Sequence, residues 1–411
     1  MIVVSLNIWY FSAHDQPRGL SSRTYDYSLE LVKRGHKVTF FTNSFCHWSH
    51  LDILEQSEKW RIENIDGIRI VWLKTIPYSG NGLGRGLNML SNALRCLQVA
   101  SVLSDVPDVV LGPSVPLGTG WAAARIAKRK NAPFVFEVRD VWPAILVDDG
   151  GLSKWSPIYF AFRHLEKQLY RQASVISSTL PYLCDHVAES GGDPVKVHWT
   201  PNGVSLNRFT GKDTYDGGKN MPLTVMYVGG FGQAHDVITL VRAANILNKR
   251  QRGKFKFIMI GDGVKKQECV DESKKLGLTN IEFRDSVPKS EVPNVQMESD
   301  ILVACVTQSD SYRFGLNLNK IYDYYGSSRP VVFSGTAPND PAKESGSGIS
   351  VDPEKPDLLA NAFEELLAMT PSQRKRMGEI GRQHVESKYN MNFLGEKMEQ
   401  LLINTSNINV I

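Results

Sequence analysis

The chain has 411 residues and a formal net charge of +4, and 42% of its residues are hydrophobic. At roughly 100–200 residues per domain, this length predicts two or three domains with full cores. So small an excess of positive charge does not indicate a nucleic-acid partner. The five cysteines are scattered without a CxxC pair, which argues against a disulfide framework and favours a reducing, cytoplasmic compartment.

The first half of the sequence alternates short apolar strands with amphipathic helices. In order, we predict strand 2–6, helix 22–34, strands 37–41, 68–73 and 106–111, helix 120–130, and strands 134–138 and 174–178. This alternation is typical of parallel sheets covered by helices on both faces. Because the first predicted strand starts at residue 2, we expect no secretion signal, and no apolar run reaches the ~18 residues of a transmembrane helix.

The pattern restarts after residues 211–222, which are rich in turn formers and resemble a linker. There we predict strand 223–228, helix 236–249, strand 256–260, helix 264–276, strands 300–306 and 331–333, helix 356–369 and a largely helical segment 371–404. The fold prediction is therefore α/β, with two doubly wound, Rossmann-like parallel-sheet domains at 1–205 and 206–385. We expect helix 386–411 to pack back on the first domain. Because ligands bind at the carboxyl ends of parallel strands, we expect the site in a cleft that the two domains face.

The most informative segment, residues 314–332, is a glycine-containing loop that leads into a short amphipathic helix. In this helix Lys320 and Asp323 are three residues apart and can face one ligand. A cation beside a helix N-terminus suits a diphosphate, and a carboxylate one turn later can accept hydrogen bonds from ribose hydroxyls. The alternative is a surface ion pair between the two side chains.

Other polar or glycine-rich motifs also follow predicted strands. Residues 229–232 could let backbone amides approach an anion, although a plain tight turn is an equal alternative. In the turn 261–263, Asp262 could simply cap the next helix. Asp140 could orient or deprotonate an acceptor hydroxyl and Arg139 could neutralise phosphate charge. An ion pair that holds the loop is the alternative for these two residues.

Together these motifs resemble the retaining nucleotide-sugar glycosyltransferases of the large family 4, which have the GT-B fold. The matching motifs occur in order over nearly the whole chain, at residues 18–25, 29–38, 136–143, 200–204, 227–236, 260–263, 283–293, 314–332 and 377–382. Each motif is modest alone, whereas their joint order is specific.

The resemblance implies that the C-terminal domain holds most of a sugar nucleotide, with Lys320 on the diphosphate and Asp323 on the ribose. It also suggests Asp140 and Arg139 as catalytic residues. Further candidates for donor binding are Gly229, Gly230, Gly261, Asp262, Gly263, Arg313, Gly315, Leu316 and Asn319, and those for acceptor binding are Arg18, Gly19 and Asn202. No protein nucleophile is assigned.

No cofactor is expected, and the resemblance implies a metal-independent reaction. The only tight group of metal-type side chains is Cys46, His47 and His50. This group lacks a second ligand pair, so no zinc site is predicted there.

The glycine-rich loop departs from the family pattern. Many relatives carry a basic pair where this chain has Gly230 or Phe231 and Ala234-His235. Since His235 could supply only part of a charge near neutral pH, the phosphate charge is left to Lys320, helped by Arg313 or Arg139.

A second departure concerns the donor sugar. Many relatives carry a sugar-contacting Glu eight residues before the second acidic residue, and this chain has Gly315 there. The Asn-Lys-x-x-Asp branch resembles bacterial enzymes of O-antigen, capsule or exopolysaccharide assembly, including N-acetylfucosamine transferases. This resemblance suggests a UDP-activated 2-acetamido sugar as donor.

Acceptors of such enzymes are often polyprenyl-diphosphate-linked sugars at the inner face of the plasma membrane. Residues 78–102 and 155–164 mix apolar or aromatic residues with basic ones, as interfacial segments do. Ordinary core helices are the alternative. We therefore expect a cytoplasmic protein with peripheral membrane contact.

Two other functions fit the same fold. One is a UDP-sugar 2-epimerase, and the other is a non-catalytic nucleotide-sugar-binding subunit. A nicotinamide dehydrogenase is disfavoured because neither half begins with the expected glycine fingerprint.

Overall fold

The computed structural model describes residues 5–18, 23–46, 50–80, 82–148, 151–209 and 215–406. The chain divides into two compact units, unit 1 with residues 1–201 and 391–411, and unit 2 with residues 202–390. Each unit contains one sheet flanked by helices, which confirms the predicted pair of Rossmann-like domains. All eight tryptophans of the sequence fall within residues 1–201.

Unit 1 is built on an eight-stranded sheet with the order β3-β4-β2-β1-β5-β6-β7-β8. Its strands are β1 (Asn7–Phe11), β2 (Lys37–Asn43), β3 (Trp60–Ile65), β4 (Ile68–Leu73), β5 (Val109–Pro113), β6 (Phe134–Val138), β7 (Val175–Ser178) and β8 (Val197–Trp199). Its helices are α1 (Arg23–Lys33), α2 (Leu83–Val102), α3 (Leu117–Lys130), α4 (Ala144–Asp148), α5 (Pro157–Gln172), α6 (Leu183–Glu189) and α14 (Met391–Thr405). Among the strands that the structure describes in this sheet, β3 is the only one that pairs antiparallel, and its partner is β4.

Two details of unit 1 differ from the sequence predictions. The first described strand spans Asn7–Phe11, and residues 5 and 6 precede it, whereas residues 2–4 of the predicted strand 2–6 lie outside the described residues. Its buried aromatic side chains pack on both faces of the sheet, where strand formers of this kind are favoured. The hairpin of β3 and β4 adds an antiparallel edge that the parallel pattern did not predict.

The last described helix, α14, completes the core of unit 1. Leu394, Met398 and Leu402 are buried in one apolar cluster with Leu31 of α1 and with the strands β1, β2 and β4. The Arg34 side chain also donates a hydrogen bond of 2.6 Å to the main-chain carbonyl of residue 392. The two ends of the sequence therefore share one core.

Unit 2 is built on a six-stranded parallel sheet with the order β11-β10-β9-β12-β13-β14. Its strands are β9 (Leu223–Val228), β10 (Phe255–Ile260), β11 (Ile281–Arg284), β12 (Ile301–Cys305), β13 (Val331–Ser334) and β14 (Gly348–Val351). Its helices are α7 (Val237–Arg250), α8 (Lys266–Lys275), α9 (Val292–Met297), α10 (Asn319–Gly326), α11 (Pro341–Ser345), α12 (Pro356–Ala368) and α13 (Pro371–Lys388). At the ends of this unit, the Val204 N–H donates to the Tyr389 carbonyl over 2.9 Å.

Arg374 ties three segments of unit 2 together. Arg374 belongs to α13 and is 1% exposed, and its guanidinium donates hydrogen bonds to main-chain carbonyls before β9 and at the end of α12. The acceptors are Gly217 (2.6 Å), Gly218 (2.9 Å), Leu366 (2.9 Å) and Met369 (2.5 Å). A buried guanidinium that satisfies several carbonyls is costly to remove because each carbonyl would lose its partner.

None of the helices in the described part of the chain is long and apolar enough to cross a membrane. Among the same residues, no group of three or more His, Cys, Asp or Glu side chains could hold a metal ion. Cys46 and His50 are described, whereas His47 lies outside the described residues.

Candidate functional site

The candidate site of unit 2 lies at the carboxyl edge of its sheet. The loops that follow β9, β10 and β12 leave from this edge because neighbouring strands run parallel. Its centre is the junction of β9 and β12, where the strand order reverses, and such points form ligand crevices in α/β sheets. The predicted donor-binding residues fall on these loops and on the start of α10.

Lys320 is the second residue of α10 and points at the end of β9. Its Nζ donates a hydrogen bond of 2.8 Å to the Tyr227 hydroxyl and lies 4.4 Å from the centroid of that ring. Within the described residues, Lys320 forms no ion pair with a carboxylate. Burial disfavours its charged form and lowers the pKa of Lys320 to about 7.

The alternative of a surface ion pair between Lys320 and Asp323 is wrong. Asp323 instead accepts a hydrogen bond from the Arg208 guanidinium, and both side chains are largely buried. Arg208 belongs to a short 3-10 turn, Leu206–Arg208, which precedes the linker. The lysine and the carboxylate are thus held by different partners.

The absence of a side chain at Gly229 makes room for the ammonium group. A Cβ atom at Gly229 would lie 2.6 Å from the Lys320 Nζ. Behind this loop, Gly261 and Gly263 approach main-chain carbonyls of residues 229 and 231 so closely that a Cβ would overlap them. Gly230 presents its carbonyl to the Tyr227 hydroxyl, which donates to it over 2.5 Å.

Asp262 does not cap α8, contrary to the structural alternative considered above. The helix begins three residues later than the turn, with Lys265 in the N-cap position. The Asp262 carboxylate accepts hydrogen bonds from the Lys266 Nζ at 3.1 Å and from the Ser286 N–H at 3.2 Å. It therefore joins the loops that follow β10 and β11.

His235 carries no charge near neutral pH, which is less than the partial charge expected from the sequence. The positive charge of Lys320 and burial lower the pKa of His235 to about 3. Its Nδ1 atom is buried and has no hydrogen-bond partner among the described residues. The loop after β9 consequently offers an unsatisfied ring nitrogen but no second cation.

The loop before α10 is held by two asparagines. The Asn339 amide accepts from the Leu316 N–H and donates to the Leu316 carbonyl, both at 2.7 Å. Asn202 donates from its side chain to Asn319 and from its main chain to Asn317 over 3.3 Å. Asn202, predicted as an acceptor residue, thus lies against the predicted donor loop.

Gly315 has a backbone φ of +103°, a conformation that L side chains rarely adopt. A glutamate at this position would therefore be strained. Arg313, two residues earlier, is exposed, and its guanidinium lies 4.6 Å from the centroid of the Phe314 ring. The predicted role of Arg313 with phosphate remains a prediction.

In unit 1, Arg139 lies at the end of β6 inside a buried ionic network. Its guanidinium donates to Glu137 and Asp15 at 2.7 Å and to the Thr24 hydroxyl at 2.5 Å. Burial alone would lower the pKa of Arg139. The carboxylates of Asp15 and Glu137 nevertheless raise this pKa well above its usual range. Glu137 also accepts from Arg23 at 2.9 Å. The network connects the start of α1 to the sheet.

Asp140 follows this network and is exposed. Its main-chain carbonyl accepts a hydrogen bond of 3.1 Å from the Ser114 hydroxyl. Arg18 pairs with Asp66 over 2.9 Å at the surface. Gly19 lies outside the described residues.

Sequence reasoning missed Tyr227 and Arg208. From the sequence alone, Tyr227 is predicted only to be a buried strand residue, and Arg208 only to be a basic residue in a turn. Their partners are 93 and 115 positions away in the sequence, so no periodicity connects them. The one local signal is that Tyr227 stands two residues before a glycine pair.

The two halves of the chain match two protein families. Residues 18–203 match the family described as a glycosyl transferase 4-like domain, and residues 222–369 match the glycosyl transferases group 1 family. No curated protein matches the chain by sequence.

Several solved structures share the fold over almost the entire chain. A sucrose-phosphate synthase from Thermosynechococcus elongatus superimposes with a TM-score of 0.74 at 16% identity, covering 97% of this chain and 98% of that chain. Anabaena Alr3699/HepE in complex with UDP-glucose superimposes with a TM-score of 0.70 at 14% identity, covering 97% of this chain and 100% of that chain. An E. coli trehalose-6-phosphate structure bound with UDP-2-fluoro glucose superimposes with a TM-score of 0.70 at 12% identity, covering 96% of this chain and 98% of that chain. The predicted GT-B fold is confirmed.

Proposed function

We propose that this chain, a GT-B glycosyltransferase in which a glycosyl transferase 4-like domain precedes a group 1 domain, moves a sugar from a UDP-activated donor with retention. The acceptor is a lipid-linked sugar or a saccharide of O-antigen, capsule or exopolysaccharide assembly. The observation that carries the proposal is Lys320, a cation without a carboxylate partner in the described residues, at the carboxyl edge of the sheet.

A diphosphate is the ligand that fits this arrangement. Burying an ammonium group without a counter-ion is unfavourable, and an anionic ligand would reverse that cost. The N–H groups of Gly229, Phe231 and Gly261 already donate to main-chain carbonyls within the unit. The N-terminus of α10, whose dipole favours negative charge, is therefore the backbone feature that supports an anion beside Lys320. The nearby His235 is neutral, so it opposes neither Lys320 nor an anion.

The uridine nucleotide is suggested by the similar structures. HepE was solved with UDP-glucose, and the E. coli trehalose-6-phosphate structure holds UDP-2-fluoro glucose. We further propose a 2-acetamido sugar as the donor sugar, which rests on the Asn-Lys-x-x-Asp segment at the start of α10. Gly315, in its positive-φ conformation, leaves this part of the site without the carboxylate common in relatives.

In the proposed reaction, charge develops on the leaving diphosphate as the anomeric bond breaks. Lys320 and the N-terminus of α10 would stabilise this charge, because fixed donors need no reorganisation during the reaction. Asp323, oriented by Arg208, would bind the ribose. Asp140 would orient the acceptor hydroxyl, while Arg139 would support it from the buried network rather than bind phosphate. No protein nucleophile is assigned, and no metal is required.

A thermal-shift panel of nucleotides and nucleotide sugars tests the donor class. We expect UDP species to stabilise the protein and the substitution Lys320→Ala to remove that shift. Lys343→Ala is the matched control, because Lys343 is an exposed lysine of the same unit. Stabilisation by GDP or ADP species alone would refute the proposal. A UDP shift without transfer to any lipid-linked or saccharide acceptor would favour the non-catalytic binding subunit.

A membrane contact is the second part of the proposal. One face of α2 exposes leucines at helical spacing, with Leu83 91%, Leu87 52%, Leu90 56% and Leu94 55% exposed. On α5 and the turn before it, Trp155, Ile158 and Phe160 are also more than half exposed. These exposed side chains support a surface role for the two segments, although α2 also buries its opposite face, including Ala93, Cys96 and Val99, as the alternative of an ordinary core helix expects.

Both stripes belong to one side of unit 1, because α3 packs against α2 and against α5. No acidic residue occurs in α2 or between residues 151 and 165, whereas basic residues accompany both stripes, among them Arg85, Arg95 and Lys154. Apolar side chains that are accompanied in their own segments by basic but not acidic residues fit an anionic lipid surface. The occupant that we propose is the inner face of the plasma membrane, with the protein cytoplasmic.

Flotation with phosphatidylcholine vesicles that contain or lack phosphatidylglycerol tests this contact. We expect binding to the anionic vesicles at low salt and loss of binding in the double variant Leu87→Glu/Leu90→Glu. Each leucine contributes about 1.5–3 kcal/mol when buried in an apolar phase. Leu358→Glu, which changes a leucine that is 40% exposed in unit 2, is the control. Equal flotation of the double variant and the wild type would refute this surface.

A further inference from the structure

We propose that Tyr227 is a positioning residue for the reaction, because its hydroxyl fixes the Lys320 ammonium and the glycine loop in a single arrangement ready for the diphosphate. The inference rests on the proposed function. It concerns a residue of the strand interior that does not itself touch the donor.

The hydroxyl of Tyr227 makes two directed contacts. It donates its only proton to the Gly230 carbonyl at 2.5 Å, so a lone pair is left to accept from the Lys320 Nζ at 2.8 Å. Burial raises the pKa of Tyr227 well above its usual range, so the hydroxyl keeps this proton. The ring contributes as well, since the Nζ lies 4.4 Å from its centroid.

The hydroxyl itself is held rigidly. Tyr227 is fully buried in β9, and its ring packs edge-on against Phe231 with centroids 5.5 Å apart. The next residue, Val228, is fixed on both sides by Tyr324 of α10, which accepts from its N–H at 3.0 Å and donates to its carbonyl at 2.9 Å. The helix that carries Lys320 is therefore tied to the strand that carries Tyr227.

This anchoring matters because a lysine side chain has four rotatable bonds. Fixing it before the ligand arrives removes an ordering cost from binding and from the reaction. Within the described residues, the Tyr227 hydroxyl is the only hydrogen-bond acceptor of the ammonium. Removing the hydroxyl should leave the cation in the site but without a fixed direction.

The test compares Tyr227→Phe with Tyr215→Phe. Tyr215 provides a matched control because its hydroxyl donates to the Asp300 carbonyl at 2.8 Å in the same unit, away from Lys320. Binding of UDP-N-acetylglucosamine, a UDP-activated 2-acetamido sugar of the proposed donor class, is measured by isothermal titration calorimetry between pH 6 and pH 9. Neither His235 nor Cys305 titrates between pH 6 and pH 9. The pKa of His235 is lowered to about 3, and burial raises the pKa of Cys305 far above pH 9.

We expect Tyr227→Phe to weaken binding about tenfold at pH 7, a typical cost of losing a hydrogen bond to a charged group, and Tyr215→Phe to leave it unchanged. We also expect the loss of affinity with rising pH to begin at lower pH in Tyr227→Phe, because the ammonium has lost its acceptor. Affinities within twofold of wild type and an unchanged pH profile would overturn the inference. Absence of any binding by the wild type would instead overturn the proposed function.

A second measurement does not depend on the donor. Competitive acetylation of the unliganded protein, read by mass spectrometry, follows the deprotonation of Lys320 as a function of pH. We expect its midpoint near pH 7 in the wild type. In Tyr227→Phe this midpoint should move by at least about half a pH unit. A midpoint that stays in place, with circular dichroism showing a folded protein, contradicts a positioning role.

Discussion

Replacing Lys320 by methionine should stabilise the unliganded protein, and more so in acid than in base. Methionine has a similar length without the charge. The substitution removes an ammonium group whose burial opposes folding, because the pKa of Lys320 is lowered from 10.5 to about 7. A group that is kept for binding can in this way reduce the stability of the fold that holds it.

The size of the effect follows from the proton balance. At 1.36 kcal/mol per pKa unit, a fall from 10.5 to about 7 corresponds to roughly 5 kcal/mol. Below pH 7 both folded and unfolded chains carry the charge, so the full cost applies. Between pH 7 and 10.5 only the unfolded chain binds the proton, so stability rises with pH and about 2 kcal/mol of the cost remains at pH 9. The substitution Lys320→Met should thus raise the free energy of unfolding by about 3 kcal/mol more at pH 6 than at pH 9.

Urea unfolding at the two pH values measures this difference. Circular dichroism follows both units, whereas tryptophan fluorescence follows unit 1 alone, because residues 202–390 contain no tryptophan. The fluorescence transition serves as an internal control and should stay in place in the variant. Comparing variant with wild type at each pH cancels the titration of other groups.

The reasoning is refuted by equal stability changes at pH 6 and pH 9, within about 1 kcal/mol. That result would mean that the ammonium group remains hydrated in the folded chain. The absence of a carboxylate partner would then carry no information about an anionic ligand.

Three further substitutions test other parts of the structure. Gly229→Ala should weaken UDP-sugar binding in calorimetry at least about tenfold, because the new methyl group displaces Lys320, whereas Gly232→Ala in the same loop should not. Arg374→Met should lower the free energy of unfolding by about 3 kcal/mol or more in urea titrations, since it leaves four buried carbonyls unpaired; an unchanged midpoint would contradict this. Glu137→Gln should destabilise the protein at pH 7, with a difference that shrinks as the pH falls below the usual glutamate value of 4.5, because burial alone would raise the pKa of Glu137 but the neighbouring Arg139 and Arg23 lower it.

The sequence predicted the sheet of unit 2 better than the contacts at its edge. Strand 223–228 has the predicted bounds because a short run of apolar residues between turn formers favours a buried strand. The position of Lys320 in α10, at the carboxyl edge of the sheet, also followed from the alternation of strands and helices. Its partner Tyr227 did not, because a hydrogen bond between residues 93 positions apart leaves no local pattern.

Other differences have equally physical causes. Strand β3 was missed, although its hairpin partner β4 was predicted with the observed bounds, because no β3 side chain is fully buried and its sequence contains no apolar run. The conformation of Gly315 was unpredictable, since glycine tolerates positive and negative φ with similar ease. The charge of His235 was overestimated because it depends on a lysine contributed by another element.

The shared core of the two ends of the chain has a consequence for synthesis. Residues 202–390 form a continuous unit whose ends meet at Val204 and Tyr389, so this unit can fold as soon as it has left the ribosome. Unit 1 begins to emerge first, yet its core stays incomplete until α14 is made. We therefore expect unit 2 to complete its core before unit 1, the reverse of the usual order in which the N-terminal domain folds first. Until α14 is made, the nascent chain exposes the apolar surface that Leu394, Met398 and Leu402 later cover, and chaperones should bind it there.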